Sequence, residues 1–222
     1  MAYILHIDTS GDRGIVALSE DGKLLAERIN TDTRNHAAVI NLYIDELVKE
    51  QGITLSDLSA IAVCGGPGSY TGLRIGLSTA KALCYVLDIP LLHHDRLLLM
   101  ALPCIYDTSS TYEQFAGILP AREKEYFLGI YDSKMVSVYG PQHTLTEELT
   151  NIFDKTGKNI VVAGKIADES DLASISKLKF VETDIIDLNS WSKYAYDSYV
   201  EKNFADLALA EPFYLKQVYT HK

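Results

Sequence analysis

The chain has 222 residues, of which 47% are hydrophobic and 23% are charged. This composition is ordinary for a globular protein, and it excludes a disordered chain, a collagen-like repeat and a coiled coil. Thirty acidic residues against 20 basic ones give a formal net charge of −10. Autonomous binding to nucleic acid or to an anionic membrane is disfavoured, because phosphate binding draws its affinity from a basic patch.

The cysteines and the N-terminus indicate a reducing compartment. Cys64, Cys84 and Cys104 form no C-x-x-C pair and lie in or beside apolar segments, so neither a disulfide framework nor a thiolate metal site is expected. No basic region precedes the first apolar stretch, and no stretch reaches 18 apolar residues without a charge. We expect a soluble, cytoplasmic protein that does not bind membranes.

The first half of the chain predicts a three-stranded meander followed by alternating helices and strands. Asp21-Gly22 has the composition of a hairpin turn, and Gly52 ends the first helical pattern. Strands are predicted at 3–8, 14–19, 23–29, 59–64 and 90–94, and helices at 36–51 and 71–88.

The second half repeats this order of elements. Strands are predicted at 115–121, 126–131, 136–139 and 159–163, with a helix at 146–156, and then a helix at 167–176, a strand at 178–181 and a helix at 190–204. A polar run at 107–110 separates the halves, so domains are predicted at 1–104 and 113–222, the second being reduced. Two such α/β halves in tandem are typical of the two-lobed, ribonuclease-H-like actin and sugar-kinase (ASKHA) fold, which names no activity by itself.

A short polar turn follows the first strand. Asp8, Thr9 and Ser10 stand where that superfamily has its first phosphate loop, in which a carboxylate acts through a metal and turn amides face phosphate. The alternative is an Asx-type turn held by the Asp8 and Thr9 side chains.

The most distinctive segment is GGPGSYTGLRIG, at residues 65–76. It is neither a P-loop nor a G-x-G-x-x-G motif, but a glycine turn leading into a helix whose free amides suit an anion or a partner's carboxylate. The alternative is a purely structural turn, with Ser69 or Thr71 as the N-cap and Gly76 permitting close packing. On the first interpretation Gly66 and Gly68 join the polar turn as candidate nucleotide contacts.

Both predicted N-terminal helices have apolar residues beyond those needed for a single buried face. The buried faces are predicted to consist of Ala37, Ile40, Ile44, Leu47 and Val48, and of Leu73, Gly76, Leu77, Ala80, Leu83, Cys84 and Leu87. A second set of residues lies on other sides of the same two helices. These residues are predicted to form the interface with a partner protein: Val39, Leu42, Ile75, Thr79, Ala82 and Val86. The alternative is that the first helix of the same chain covers this second row.

Several features together resemble one family. The glycine-rich string, the start YILHIDTS, His36 at the head of its helix and the late segment 212–215 are similar to those of TsaB (YeaZ) proteins, which are needed for threonylcarbamoyladenosine in transfer RNA. The resemblance is firm in the N-terminal half, and in the C-terminal half it rests mainly on strand order and that late segment.

This resemblance implies a non-catalytic scaffold that binds TsaD, its catalytic paralogue, together with the small ATPase TsaE. TsaD transfers threonylcarbamoyl to the adenosine beside the anticodon of transfer RNAs that read codons beginning with A. Transfer RNA would be contacted only through the complex, and the isolated chain would be a monomer or a homodimer. No intrinsic cofactor is implied, and ATP or ADP at the interface of the assembled complex is left open.

The sequence also bears on two enzymatic alternatives. Counting from Pro90, the positions of the two TsaD metal ligands fall on Arg96 and Met100, which do not suit a metal. His93 and His94 are adjacent in an extended segment and point to opposite faces, so no metal site is predicted. The main alternative function is an actin-fold ATPase or phosphotransferase that uses Asp8 and the 65–71 loop. The second enzymatic alternative is a metallopeptidase.

We expect Arg74 to pair with an acid such as Asp95 or with a partner's carboxylate.

Overall fold

The structure is a computed structural model, and it describes residues 1–33, 35–109, 111–168, 172, 175 and 178–215. Contacts divide the chain into two compact units. The first unit contains Met1–Asp95 and Leu188–Phe213, and the second is built around Arg96–Asp187.

Each unit contains one five-stranded sheet. The strands are β1 (Tyr3–Asp8), β2 (Gly14–Glu20), β3 (Lys23–Asn30), β4 (Leu58–Gly66), β5 (Leu91–Asp95), β6 (Gln114–Pro120), β7 (Glu125–Asp132), β8 (Ser137–Leu145), β9 (Ile160–Gly164) and β10 (Leu178–Glu182). The helices are α1 (His36–Glu50), α2 (Tyr70–Leu87), α3 (Arg96–Tyr106), α4 (Thr146–Thr156) and α5 (Leu188–Val200).

The two sheets have the same strand order, which confirms the predicted repeat. The first runs β3-β2-β1-β4-β5 and the second, read from its other edge, runs β8-β7-β6-β9-β10. In both, a meander of three antiparallel strands is extended by two parallel strands. The predicted strands and helices match within a few residues, with three exceptions. The strand predicted at 136–139 extends to Leu145, the last helix ends at Val200 rather than 204, and the helix expected at 167–176 lies largely outside the described residues.

The core of the first unit lies between its sheet and the two helices α1 and α2. Leu5 and Ile7 of β1 point into this core, where they meet Leu47 of α1 and Leu77 of α2. Because successive strand residues face opposite sides, Ile4 and His6 point to the other face of the sheet. Since His6 is also fully buried, that face needs a cover of its own.

Helix α5 provides this cover, although it comes from the far end of the chain. Trp191 is completely buried, and its ring meets the His6 ring edge-on with 4.9 Å between centroids. The grouping of contacts therefore differs from the predicted domains at 1–104 and 113–222: α5 belongs to the first unit, because its apolar side packs on β1, β3 and β5. Helix α3, which the prediction divided at residue 104, belongs to the second unit.

Two buried histidines belong to this second face of the first sheet. The His94 Nδ1 accepts a hydrogen bond of 2.9 Å from the Trp191 Nε1–H, and the His6 Nε2 lies 2.8 Å from the Ser19 Oγ. His94 also contacts the Tyr194 ring at 4.8 Å. Burial lowers the pKa of both imidazoles to about 3, and for His94 the neighbouring His6 and His93 add to the effect.

We predict that the first unit loses stability in acid. Above the ordinary histidine pKa of 6.5 both states are neutral, whereas below it the unfolded chain takes up protons that folded His6 and His94 exclude until about pH 3. The free energy of unfolding should therefore fall by roughly 1–2 kcal/mol per imidazole between about pH 7.5 and pH 5. Urea titrations followed by the fluorescence of Trp191, the single tryptophan, measure this change.

A matched pair of variants identifies the source of this pH dependence. His6→Gln should reduce the slope of stability against pH, whereas Ser78→Ala, which replaces an exposed side chain that does not titrate, should leave the slope unchanged. Equal urea midpoints for the wild type at the two pH values would contradict the prediction.

Candidate functional site

The polar turn after β1 and the glycine loop, defined as residues 65–72, are packed directly against each other. The Asp8 Oδ1 accepts the Ser10 N–H at 2.8 Å, which is the Asx-type turn that the sequence allowed as an alternative. The Ser10 carbonyl accepts the Ser69 N–H at 2.7 Å, and the Thr9 hydroxyl donates to the Gly72 carbonyl at 2.6 Å. Asp8, Thr9 and Ser10 are all buried.

Glycines are required where these two loops touch. A Cβ at Gly68 would overlap the Ser10 carbonyl oxygen, and one at Gly72 would overlap the Thr9 carbonyl oxygen. Gly66 ends β4 at a φ of +111°, a conformation that side-chain-bearing residues rarely adopt. The glycines thus bring backbone against backbone inside the chain, and the amides of Ser10 and Ser69, which a phosphate would need, are engaged by protein acceptors.

The start of α2 is fixed by its own cap. The Ser69 side chain accepts the Gly72 N–H at 3.2 Å, so Ser69 rather than Thr71 is the N-cap. One turn into the helix, the guanidinium of Arg74 lies over the Tyr70 ring, 4.2 Å from its centroid. This stacking was not foreseen from the sequence.

His93 connects the glycine loop to residues 204–213, a segment that we call the strap. Its ring lies beneath Gly65, where a Cβ would overlap it, and stacks on Phe213 with 4.6 Å between centroids. The Phe213 N–H donates to the Gly65 carbonyl at 2.8 Å. Burial, with a smaller contribution from Lys81, lowers the pKa of His93 to about 4. The two adjacent histidines therefore have separate structural roles.

The predicted interface residues are only partly covered. Leu42, Ala82 and Val86 are exposed, whereas Val39, Ile75 and Thr79 are half-buried. Tyr85, which the sequence analysis did not single out, has 80% of its surface exposed, compared with 78% for Val86 and 53% for Leu42. We call these seven residues of α1 and α2 the contact face.

The predicted buried faces of the two helices hold for most positions, but Ala37 is exposed and Leu83 and Leu87 are half-buried.

The α2 part of the contact face is almost free of charge, whereas α1 carries Asp45, Glu46, Lys49 and Glu50. Helix α2 has 18 residues, and its charged side chains are Arg74 and Lys81. Lys81 is directed to the strap, where its Nζ donates to the carbonyls of Ala208 and Ala210 at 3.2 Å each. An exposed helix with so few charges is unusual in a chain of net charge −10, because monomeric proteins rarely expose contiguous apolar surface.

Neither a metal cluster nor a membrane span is found in the part of the chain that the structure describes. Within it no three His, Cys, Asp or Glu side chains are grouped so that they would hold a metal ion. No helix among these residues combines the length and the apolar character needed to cross a bilayer.

Comparison with known proteins identifies the family. Residues 23–214 match the family model described as TsaD, tRNA N6-adenosine threonylcarbamoyltransferase. This chain belongs to that family. The tRNA threonylcarbamoyladenosine biosynthesis protein TsaB of Bacillus subtilis is 33% identical over 135 residues, which cover 59% of this chain and 56% of that protein. The tRNA N6-adenosine threonylcarbamoyltransferase of the same organism is 36% identical over 110 residues, 41% of this chain and 32% of that protein.

The chain thus spans about half the length of the TsaB protein and about a third of the length of the transferase. Among solved structures, YeaZ from Pseudomonas aeruginosa aligns with a TM-score of 0.74 at 22% identity, covering 97% of this chain and 100% of that one. A polyphosphate/ATP-glucomannokinase from Arthrobacter aligns with a TM-score of 0.56 at 12% identity, over 90% and 98% of the two chains. These likenesses confirm the predicted actin-like α/β fold, and with the TsaB match they confirm the resemblance to the TsaB (YeaZ) family.

We predict that adding one methyl group to the glycine loop destabilises the chain. In Gly72→Ala the new Cβ would displace the Thr9 carbonyl, and overpacking of this kind costs about 1–3 kcal/mol. Ser78→Ala, on the exposed side of the same helix, is the control and should change stability by less than about 0.5 kcal/mol. Urea unfolding measures both, and a fully stable Gly72→Ala variant would show that the contact is not tight.

Proposed function

We propose that this chain is a non-catalytic subunit that binds a TsaD-type catalytic paralogue in the formation of threonylcarbamoyladenosine on transfer RNA. The observation that carries the proposal is the contact face, a partly exposed set of uncharged residues on α1 and α2, of which the α2 part has few charges around it. Burying Tyr85, Val86 and Leu42 against another protein removes apolar area from water, which is the main driving force for association.

The family relationship supports a paralogue as the occupant of this face. The family model spans residues 23–214, so other members have counterparts of α1 and α2. Two related chains are able to pack equivalent faces about a pseudo-two-fold axis, as identical chains do in an isologous dimer. By the same geometry, two copies of this chain would pair when the catalytic partner is absent.

The charge of the chain supports a division of labour. At a net charge of −10, this subunit offers little attraction for transfer RNA, whose binding depends on neutralising phosphates. The partner would hold the transfer RNA and perform the transfer, and the ATPase TsaE would join the pair. This chain would supply the surface on which they assemble.

Nucleotide binding by this chain alone has weaker support. The amides of Ser10, Ser69 and Gly72 have acceptors within the chain, and glycines allow the close contact between the two loops. We therefore propose that the chain holds no nucleotide of its own, and that any ATP or ADP lies between subunits of the complex.

Charge introduced on the contact face should break the complex. Val86→Glu would bury a carboxylate without a partner, so we expect at least a tenfold loss of affinity for the TsaD homologue of the same cell. Leu42→Glu should act in the same direction. Val136→Glu is the matched control, since Val136 is also exposed but lies in the second unit.

Titration calorimetry and light scattering measure affinity and stoichiometry, and circular dichroism verifies that each variant is folded. A one-to-one complex lost in Val86→Glu and retained in Val136→Glu is the expected result. If the wild-type chain and TsaD form no complex, the proposed function is wrong.

Mg-ATP distinguishes the scaffold from a free-standing enzyme. We expect the isolated chain to bind Mg-ATP with no saturation below about 1 mM, the weak end of the range usual for enzyme substrates, and to release no phosphate. Turnover that Asp8→Asn abolishes would instead establish the actin-fold ATPase. Calorimetry together with a phosphate-release assay decides between them.

A further inference from the structure

The strap is tied to α2 by one lysine. The Lys81 Nζ donates to the carbonyls of Ala208 and Ala210 at 3.2 Å each. These two carbonyls belong to the residues on either side of Leu209, so the lysine holds the backbone before and after that leucine. The position of Leu209 relative to α2 is therefore fixed by two hydrogen bonds.

The same part of the strap forms a closed turn of its own. The Asp206 Oδ1 accepts the N–H groups of Ala208 and Leu209 at 2.8 Å and 3.0 Å. The Asp206 carbonyl accepts the Ala210 N–H at 2.8 Å. With three hydrogen bonds to one residue, the turn has its shape before any partner arrives, and a preformed surface loses less conformational freedom on binding.

The large apolar side chain of this turn faces away from the core. Ala205, Leu207 and Ala210 pack against the core of the first unit. Leu209 is not among the residues that do so, and 77% of its surface is exposed. Its side chain therefore adds little to the stability of the fold, and the turn itself does not require a leucine there.

The contact face lies next to this leucine. Lys81 and Tyr85 are four residues apart on α2, so they lie on the same side of the helix, about one turn apart. Tyr85 is 80% exposed and is followed by the exposed Val86. Single exposed apolar residues are common on monomeric proteins, but Leu209 is held beside a row of them. The apolar surface of α2 thus continues onto the strap.

The groups that hold the turn have their hydrogen bonds within the chain. The Lys81 ammonium donates to two carbonyls, and the Asp206 carboxylate accepts from two amides. Neither group needs a charged residue of a partner, so the surface around Leu209 is suited to an apolar contact.

We propose that Leu209 is a contact residue for the TsaD-type partner, facing an apolar side chain of that protein, and that Lys81 positions it. This inference rests on the proposed function, because it adds the strap to the surface that binds the partner. It assigns a task to a segment from the far end of the chain, outside the two helices of the contact face.

A charge at position 209 tests the contact. We expect Leu209→Glu to bind the TsaD homologue of the same cell at least tenfold more weakly, since a carboxylate would be buried without a partner. Val200→Glu is the matched control: Val200 is 59% exposed and ends α5, on the other face of the first sheet. The control should bind within twofold of the wild type in titration calorimetry. Because both positions are exposed, neither substitution should change the urea midpoint.

A double-mutant cycle tests the role of Lys81. Lys81→Met keeps the aliphatic stem but removes the donor, so we expect it to weaken binding about threefold or more, whereas Lys81→Arg, which keeps a donor, should restore most of the affinity. In a chain that already has Leu209→Ala, Lys81→Met should cause no further loss. Equal losses in both backgrounds would show that Lys81 does not act through Leu209.

Photo-crosslinking detects the contact directly in the complex. A benzophenone amino acid at position 209 should crosslink to TsaD on irradiation, whereas the same group at position 200 should not. A crosslink from position 200 alone, or from neither position in a complex that has formed, would overturn the inference.

The outcomes distinguish this inference from the proposed function. If Val86→Glu breaks the complex and Leu209→Glu binds as tightly as the wild type, the proposed function stands and only the inference fails. Equal losses from Leu209→Glu and Val200→Glu would also overturn the inference, because the effect would then come from added charge in general. If the wild-type chain does not bind TsaD at all, both fail.

Discussion

The first unit depends on the contact of one backbone turn with another. The Asp8–Ser10 turn and the glycine loop meet largely through backbone atoms, joined also by the Thr9 hydroxyl, and Gly68 and Gly72 are the residues that allow this approach. The contact ties the end of β1 to the start of α2, so the helix is held in a fixed position on the sheet. The exposed row of α2 depends on that position for its direction.

This contact also occupies one backbone amide of each turn. The Ser10 N–H and the Ser69 N–H both donate to acceptors within the chain. If the chain is the scaffold proposed above, the fixed position of α2 helps it, since a preformed surface loses less conformational freedom on binding.

The sequence predicted the elements well where their hydrophobic period was clear. β1 and α4 have the predicted bounds, because each pattern has an unambiguous period and a definite end. Helix α3 was missed as an element because residues Arg96–Leu102 are all buried and leave no polar face to reveal a period. The Asp8–Ser10 turn has the hydrogen bond of an Asx turn, one of the two interpretations that the sequence offered, and the phosphate-loop interpretation stays a prediction.

The roles of the histidines could not be read from the sequence. His94 has its partner Trp191 at a separation of 97 residues, and the partner of His93 is Phe213 in the strap. No local pattern links residues so far apart. The fold class followed from strand order, which is local, whereas these contacts depend on how the chain returns to its first sheet.

The packing of residues 188–213 on the first sheet has a consequence for the synthesis of the protein. Ala205 forms a bridge to Leu91 at the edge of the first sheet, and Trp191 fills the face beneath it. The first unit is therefore discontinuous, and its N-terminal 95 residues leave the ribosome well before the segment that completes them. Until residues 188–213 emerge, His6 and its apolar neighbours stay uncovered, so the part of the protein made first is among the last to finish folding.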